Sequence, residues 1–288
     1  MKKALLVIIF AAFSLFGIVL YSANSTNDNK LHLIICNVGQ GDGILIRTPD
    51  GEDILIDGGP DNKILDCLSR NMPFWDKTIE AVFLTHPHAD HLTGLIYVMD
   101  SYEIKDFYTE EVESKSQIYL ALRKKIKEKN IVFHDIKTGD RLSEPSGVVL
   151  ETLWPEMAAL TNYDATDANL DLNGFSLIEV LKYKNFKALL TGDAGVLTED
   201  KIAQTAGKIT VLKVPHHGSK TGMSDNFLSE ISPDLAVISV GLKNRYHHPS
   251  IVSLELLKNH NIRMLRTDRN GEVDITTDGV SWNFNSEK

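Results

Sequence analysis

Cysteine is scarce in this sequence: its 288 residues include only two, Cys36 and Cys67. Small secreted domains that are held together by disulfides need several pairs, so two cysteines exclude that class of protein. Cys36 lies in the apolar run 33–36 and is predicted to be a small core residue. A single disulfide between the two cysteines stays open if the chain is exported.

Positively charged residues are outnumbered by negatively charged ones: the sequence has 30 lysine and arginine residues and 39 aspartate and glutamate residues. The resulting net charge of −9 argues against nucleic-acid binding through bulk electrostatics alone. Divalent cations bound at a site would reverse the local field, so a nucleic-acid substrate stays open. The amphipathic segment 116–129 concentrates lysine, and we interpret it as a solvated helix surface rather than a nucleic-acid face.

The sequence lacks an internal repeat and a second linker, so a single large domain is expected at 31–288. Before it, two lysines and the apolar run 4–21 are typical of a signal peptide or a membrane anchor, and both alternatives stay open for 1–23. Residues 24–30 are a polar linker. No cysteine closely follows the apolar run, which excludes a lipoprotein attachment site. The domain is therefore predicted to be extracellular, or membrane-anchored and facing outside the cytoplasm.

Gly39, Gly41 and Gly43 are spaced somewhat like a dinucleotide-binding loop, but the chain that follows excludes that interpretation. A dinucleotide loop leads into a helix, whereas residues 44–57 read as strand, tight turn and strand. We interpret the glycines as a β-turn near a site, with Asp42 available to it.

Three histidines and one aspartate fall within six consecutive residues, directly after the apolar run 81–84. These residues are His86, His88, Asp90 and His91. Imidazole and carboxylate groups are the usual ligands of zinc and similar ions. The alternative, a solvated polar turn, does not account for four such residues at the end of a buried strand, so the segment predicts a metal site.

Other apolar strands also end in residues that can bind metals. Asp57 ends the strand 53–57, where the following glycines permit close backbone approach, and Asp193 follows the strand 186–190. The strands 209–214 and 235–240 each lead into a loop with two adjacent histidines. These are His216, His217, His247 and His248. We expect such strands to direct their ends to one edge of a sheet sandwich, whereas the other histidines, His32, His134 and His260, are predicted to be structural or surface residues.

Together these motifs resemble the metallo-β-lactamase superfamily, whose His-x-His-x-Asp-His signature is matched by 86–91. The segments 57–59 and 190–193 match other marks of that superfamily, in the same order. Within it, the chain is similar to the soluble hydrolase domain of ComEC-type DNA-uptake (competence) proteins. The matching stretches, which cover nearly the whole chain from Leu31, are 37–42, 54–59, 85–91, 189–193, 212–219 and 244–249.

The resemblance implies an α/β fold, the αββα sandwich, with two divalent metal ions (zinc or manganese) on one edge. The ligands that it implies are His86 and His88 for one ion, Asp90, His91 and His216 for the other, and Asp193 as the bridge. His217 and His248 are alternatives to His216, and Asp57 is a supporting residue. In the superfamily a further histidine usually lies between the Asp90-His91 pair and the bridging aspartate. Here that interval holds only His134, predicted inside a strand, and the Asn173-x-x-Ser176 stretch, so the first ion is expected to be under-coordinated, weakly bound, or manganese.

The resemblance also implies a phosphodiesterase, with an exported nuclease first among the choices, in which a metal-bridged hydroxide attacks the substrate. Asp90 is expected to orient the nucleophile or take its proton, and His217 or His248 to protonate the leaving oxygen. Residues assigned to the substrate are Asp42, Ser219, Asn244 and Arg245, the last being suited to a phosphate oxygen.

Two alternatives stay open: a cell-wall phosphocholine-type esterase, and a non-catalytic metal-binding subunit at the cell surface. A β-lactamase or lactonase ranks lower, because the stretches 215–219 and 244–249 point away from it. ComEC-type proteins carry many membrane spans and this chain has at most one, so we expect a free-standing hydrolase. DNA is one candidate substrate, and the membrane is a partner if the leader is not cleaved.

Overall fold

A computed structural model describes residues 28–110, 112, 114–163 and 170–288, together with positions 9, 10, 13, 14 and 17. Apart from those five positions, the predicted leader and the start of the predicted linker lie outside the described residues. The alternatives of signal peptide and anchor therefore stay predictions. Among the described residues, no helix is long and apolar enough to cross a membrane.

Two β-sheets pack face to face and place their helices on the outside. The first sheet has eight strands in the order β15-β14-β1-β2-β3-β4-β5-β6. Its strands are β1 (Leu31–Ile35), β2 (Ile44–Arg47), β3 (Asp53–Ile56), β4 (Thr78–Leu84), β5 (Glu103–Thr109), β6 (Val132–Asp135), β14 (Val273–Thr277) and β15 (Trp282–Ser286). The second sheet has seven strands in the order β13-β12-β11-β10-β9-β8-β7. Its strands are β7 (Arg141–Ser143), β8 (Val149–Trp154), β9 (Ile178–Tyr183), β10 (Phe186–Leu190), β11 (Val211–Lys213), β12 (Leu235–Ile238) and β13 (Arg263–Arg266).

Helices cover the outer face of each sheet. The helices in the first half of the chain are α1 (Ile64–Asn71), α2 (Ala89–Ser101), α3 (Gln117–Glu128) and α4 (Met157–Thr161). Those of the second half are α5 (Val196–Ala206), α6 (Asp225–Ile231), α7 (Ile251–Asn259) and α8 (Thr267–Asn270). One buried cluster fills the space between the sheets, a second packs α1, α2 and α3 on the first sheet, and a third packs α5, α6 and α7 on the second. The predicted αββα sandwich is confirmed.

The strand directions explain why so many polar loops meet. Strands β3 to β6 run parallel in the first sheet, and β10 to β13 run parallel in the second. The carboxyl ends of parallel strands lie at the same edge, and the loops that follow them are therefore neighbours. The metal-binding candidates identified in the sequence follow β3, β4, β10, β11 and β12.

The two cysteines form a disulfide between Cys36, directly after β1, and Cys67 in α1. Both are buried, as predicted for Cys36, but the interpretation of Cys36 as a simple core residue was incomplete. The cross-link closes a 31-residue separation. On chain-entropy grounds such a bond stabilises the fold by about 3.7 kcal/mol.

Glu179 on β9 is a carboxylic acid inside the sandwich. Its Oε1 accepts a hydrogen bond of 2.8 Å from the Thr152 hydroxyl, and its Oε2 has no partner among the described residues. Burial, which the Thr152 hydrogen bond only partly offsets, raises the pKa of Glu179 to about 8. The side chain is therefore held in its neutral form at pH 7.

Glu179→Gln is expected to remove a pH dependence of stability. The folded state keeps a proton that the unfolded state has lost, so the contribution of Glu179 is largest below its usual pKa of 4.5 and is lost as the pH rises to about 8. A neutral amide should raise the free energy of unfolding at pH 8 by about 4 kcal/mol relative to wild type. At pH 4.5 the two proteins should be nearly equal.

Urea denaturation at both pH values measures this effect. Glu230→Gln, at an exposed position of α6, is the control and should follow wild type throughout. Equal stability changes for Glu179→Gln at both pH values would show that Glu179 is not a buried neutral acid.

Candidate metal centre

Close packing beneath the site holds the first two loops together. A Cβ on Gly94 in α2 would lie 1.8 Å from the carbonyl oxygen of Gly58, so only glycine fits there. The amide of Gly58 donates to the carbonyl of His91 at 2.7 Å, and that of Gly94 donates to the carbonyl of Gly59 at 2.9 Å. The loop after β3 is thereby fixed against the histidine-bearing start of α2.

His86 and His88 bring two ring nitrogens together. His86 Nε2 and His88 Nδ1 are 3.0 Å apart, about the separation expected for two ligands of one zinc-sized ion. The hydroxyl of Thr85 donates to Asp57 at 2.7 Å and accepts from His86 Nδ1 at 3.1 Å. This tautomer leaves the lone pair of His86 Nε2 directed at the shared position.

A second group of four ligand atoms lies beside the first. One atom each from Asp90, His91, Asp193 and His217 falls within 4.8 Å of the others. Asp193 Oδ1 lies 3.4 Å from His91 Nε2 and 3.3 Å from His217 Nε2. None of these three buried atoms has a hydrogen-bond partner within the part of the chain that the structure describes. Imidazole nitrogens and carboxylate oxygens that converge in this way are the usual ligand atoms of a divalent metal ion, so such an ion fits this position.

The outer nitrogens of both buried imidazoles are fixed by oxygen acceptors. His91 Nδ1 donates to the Asp57 carboxylate at 2.7 Å, and His217 Nδ1 donates to the backbone carbonyl of Ser239 at 2.9 Å. Each bond selects the tautomer that turns Nε2 toward Asp193. Asp57 thus lies directly behind His91, in agreement with its predicted supporting position.

The buried carboxylates and imidazoles of this group shift one another's pKa values. Burial opposes the charged form of His217, but Asp193 and Asp42 raise the pKa of His217 to about 9. Burial likewise opposes the charge on His91, whose pKa Asp193 and Asp57 hold well above the usual value. Burial and the neighbouring His91 lower the pKa of His86 well below the usual value. In the absence of an ion, protons on His91 and His217 therefore balance the buried carboxylates.

His217, rather than His216, joins Asp90 and His91 in the second group. His216 Nε2 lies 3.7 Å from the other oxygen of Asp193, Oδ2, so His216 lies on the opposite side of that carboxylate. The first choice of His216 as the further ligand of the second ion is therefore corrected in favour of its stated alternative. Both histidines are in the left-handed region, with φ of 46° and 53°, and this strained turn directs adjacent side chains to both sides of Asp193.

Lys213 is the site residue that sequence reasoning missed. It ends β11 fully buried, where its ammonium group pairs with the Asp42 carboxylate and donates to the carbonyl of Gly192 at 2.9 Å. Asp42 also lies 3.4 Å from His217 Nδ1. The available signal was a single lysine within the apolar run 209–214, since a charge in a buried strand requires a partner.

The assignment of Asp42 to the substrate is wrong. Its carboxylate is 1% exposed and lies beneath the histidines, where no substrate reaches it. Burial opposes its ionisation, but Lys213 and His217 lower the pKa of Asp42 to about 2. Asp42 is therefore a permanent counter-charge of the site.

Ser219 is also misplaced as a substrate residue. It is buried, its hydroxyl contacts the hydroxyl of Thr221 at 3.3 Å, and its carbonyl accepts from Ser253 at 2.7 Å. Asn244 lies at the site's rim, but its side chain bonds only loop backbone, donating to Gly241 and His248 carbonyls. These residues shape the loops around the centre.

An open groove leads to the metal-binding candidates. A cavity of about 180 Å³ is lined by His88, Asp90, Asp193 and His248, among others, and an adjoining cavity of about 670 Å³ shares His88 and Asp90 with it. Arg245 lines the larger cavity and is exposed; its guanidinium donates to the Tyr246 hydroxyl at 2.7 Å.

In the 247–248 pair, His248 is the residue that lines the smaller cavity of about 180 Å³, which is the inner cavity of the site. Its Nδ1 is buried and has no hydrogen-bond partner among the residues that the structure describes, whereas His247 is exposed. Burial and the neighbouring His216 lower the pKa of His248 to about 4. At pH 7 this imidazole is therefore neutral and serves as a hydrogen-bonding group.

The three histidines predicted to be structural are confirmed as such. His32 contacts Asp274 at 3.1 Å, His134 contacts Asp106 at 2.6 Å on the edge of the first sheet, and His260 contacts Asp225 at 2.8 Å. His134 lies in β6, as expected, and supplies no ligand to the centre.

Comparison with known proteins agrees with this geometry. Residues 36–151 match the family model described as Metallo-beta-lactamase superfamily. These residues are therefore identified as a domain of the metallo-beta-lactamase superfamily. A solved member of the same fold, the metallo-beta-lactamase fold protein YhfI from Bacillus subtilis, superimposes with a TM-score of 0.56 at 12% identity. That match covers 82% of this chain and 96% of YhfI, and at such low identity it shows the fold alone.

Curated relatives of this chain are competence proteins of the ComEC type, as the motifs predicted. ComE operon protein 3 of Bacillus subtilis (strain 168) is 32% identical over 205 residues, which are 68% of this chain and 24% of that protein. Recombination protein 2 of Haemophilus influenzae is 29% identical over 247 residues, 83% of this chain and 28% of that protein. The chain thus spans about a quarter of the length of these relatives.

Asp57→Asn is expected to weaken metal binding by about 10- to 100-fold without unfolding the domain. Three donors now surround the carboxylate: His91 Nδ1–H and the Thr85 hydroxyl on Oδ2, and the Thr85 backbone amide on Oδ1. An asparagine amide, whichever way it is turned, would place an N–H against one of these donors and would remove the charge behind His91, so the imidazole would be held less firmly. Isothermal titration with Mn²⁺ and Zn²⁺ measures the change.

Asp234→Asn, at an exposed position, is the matched control and should bind metal as wild type does. Unchanged metal affinity in folded Asp57→Asn would contradict the role of Asp57 in orienting His91.

Proposed function

We propose that this chain is a dinuclear metal-dependent phosphodiesterase, with nuclease activity as the first choice. The observation that carries the proposal is the position of Asp193. One carboxylate oxygen faces His91 and His217, and the other faces His216. The charge of Asp193 also acts on His86 of the first ligand group, which supports a bridging role for this carboxylate.

The residues fit two divalent ions, with His86 and His88 holding one and Asp90, His91 and His217 holding the other. Two such ions supply a low-pKa water as nucleophile and stabilise the charge that develops on a phosphoryl group. Asp90 is suited to orient that water and accept its proton, because its side chain is 30% exposed in the inner cavity.

His248 is the remaining candidate to assist the leaving oxygen. His217 is buried with Nε2 turned toward Asp90 and Asp193, which commits it to the metal. His248 faces the same cavity from the opposite loop and, as a neutral imidazole, donates a hydrogen bond to the leaving oxygen.

An extended phosphodiester fits the groove better than a compact substrate does. The larger cavity continues from the inner one past Arg245 and Tyr246, whose ring stacks with that of His248 at 5.8 Å. A guanidinium suits a phosphate oxygen, and an exposed ring offers a stacking surface to a base. The relative named Recombination protein 2 favours DNA among the phosphodiesters.

The proposed place of action is outside the cytoplasm. The disulfide between Cys36 and Cys67 supports it, because such bonds persist in oxidising compartments. The competence-type relatives are consistent with work at the cell envelope.

Asp193→Ala is expected to abolish hydrolysis of bis(p-nitrophenyl) phosphate while leaving the circular dichroism spectrum unchanged. Loss of the shared carboxylate removes a ligand from both ions, and a fall in turnover of more than about 100-fold should result. Asp234→Ala, at an exposed position, should retain full activity. Wild-type turnover in Asp193→Ala would exclude the dinuclear arrangement.

A substrate panel distinguishes the classes of activity. Single-stranded DNA, duplex DNA, RNA, a phosphocholine ester and a β-lactam are each assayed with Mn²⁺ and with Zn²⁺. The proposal expects a nucleic acid to be the best substrate. Preference for the phosphocholine ester would favour the cell-wall esterase, and fewer than about one bound ion per chain would favour a non-catalytic subunit.

A further inference from the structure

Asn173 lines the same inner cavity as His88, and its side-chain amide oxygen could serve as a ligand atom. Its Oδ1 is buried and is without a hydrogen-bond partner within the described ranges. The residue lines the 180 Å³ cavity together with His88 and Asp193. A buried amide oxygen without a partner costs about 1–3 kcal/mol, so a ligand for it is the simplest explanation.

The backbone around Asn173 is held rigidly. Residues Leu172–Phe175 form one 3-10 turn, whose start is capped by the Asp171 carboxylate accepting from the amide of Asn173 at 3.1 Å. The Trp154 indole donates to the carbonyl of Gly174 at 2.8 Å. A side chain on this turn is therefore placed in advance of ligand binding.

The same turn is tied to both loops of the first ligand group. The amide of Leu177 donates to the carbonyl of Thr85, the residue before His86, at 2.8 Å. The amide of Asp193 donates to the hydroxyl of Ser176 at 3.2 Å. Gly192, with φ of +50°, fits between Thr85 and Ser176, where an added Cβ would lie 3.1 Å from each Cβ. The three loops therefore form one packed unit.

We propose that Asn173 Oδ1 is a direct ligand of the ion held by His86 and His88. Asp193 completes this set, which then contains two imidazole nitrogens and two oxygens. The inference rests on the two-ion site of the proposed function and assigns a residue to its less complete half.

An amide oxygen changes which metal this half prefers. Carbonyl and carboxylate oxygens suit Mn²⁺ and Mg²⁺, whereas a further imidazole would suit Zn²⁺. The half with Asn173 therefore favours manganese more than the same half would with a third histidine in place of the amide.

Mn²⁺ binding to the purified protein tests the assignment without any activity assay. Isothermal titration gives the affinities, and electron paramagnetic resonance reports whether two Mn²⁺ ions are magnetically coupled. Wild type should bind two coupled ions. Asn173→Ala should keep one site at its original affinity, weaken the other by about 10- to 100-fold, and show an uncoupled single-ion spectrum.

Two replacements and one control sharpen the result. Asn173→Asp should restore coupled Mn²⁺ binding at or above wild-type affinity, because it supplies a charged oxygen. Asn173→His should shift the weaker site toward Zn²⁺. The control is Asn162→Ala: Asn162 is exposed in the same connection, its side chain donates to the carbonyl of Ala158, and this variant should match wild type.

Two outcomes would overturn the assignment. The first outcome is that Asn173→Ala, shown to be folded by circular dichroism, still binds two magnetically coupled ions, each within about threefold of its wild-type affinity. The second outcome is that Asn173→Asp is folded but binds Mn²⁺ as weakly as Asn173→Ala does. If wild type binds only one ion, the two-ion proposal itself fails. That result is distinguishable from a failure of the Asn173 assignment, because it is obtained with wild type before any variant is made.

Discussion

Three buried carboxylates, those of Asp42, Asp57 and Asp193, determine the arrangement at the edge of this sandwich. Each is nearly inaccessible to water, and each faces a histidine. Burying carboxylates in a protein interior is unfavourable unless positive charge and hydrogen bonds surround them. Lys213 balances Asp42 permanently, whereas the imidazoles of His91 and His217 balance the other two by holding protons that a divalent ion would displace.

The fold supplies this arrangement because its two parallel strand blocks end at one edge. Strands β3 and β4 deliver Asp57 and the histidine cluster from one sheet, and β10 and β11 deliver Asp193 and the 216–217 turn from the other. Neither sheet holds a complete set of ligands, so the site depends on the packing of one sheet against the other. The disulfide at Cys36 and the contact of Gly58 with Gly94 fix the loops of the first sheet against its helices.

Much of this was predictable from sequence, because strand-end histidines and aspartates are local patterns. The convergence of the loops at one sheet edge follows from apolar runs and the residues that end them, whereas the αββα sandwich and the supporting role of Asp57 were implied by the resemblance to the metallo-β-lactamase superfamily. Neighbours across sheets were not predictable. Asp42 was assigned to substrate because its partner Lys213 comes from the other sheet, and His216 was preferred to His217 because only the left-handed turn decides which imidazole faces Asp90. The short elements β7 and α8 lack a periodic signal long enough to detect.

The central claim is that Asp193 lies between two metal ions. Anomalous diffraction from crystals grown with Mn²⁺ tests it most directly, because it locates each ion without reference to activity. The account predicts two anomalous peaks, one beside His86 and His88 and the other beside Asp90, His91 and His217, with the Asp193 carboxylate bonded to both. A single peak, or peaks that do not contact Asp193 in crystals saturated with metal, would contradict it.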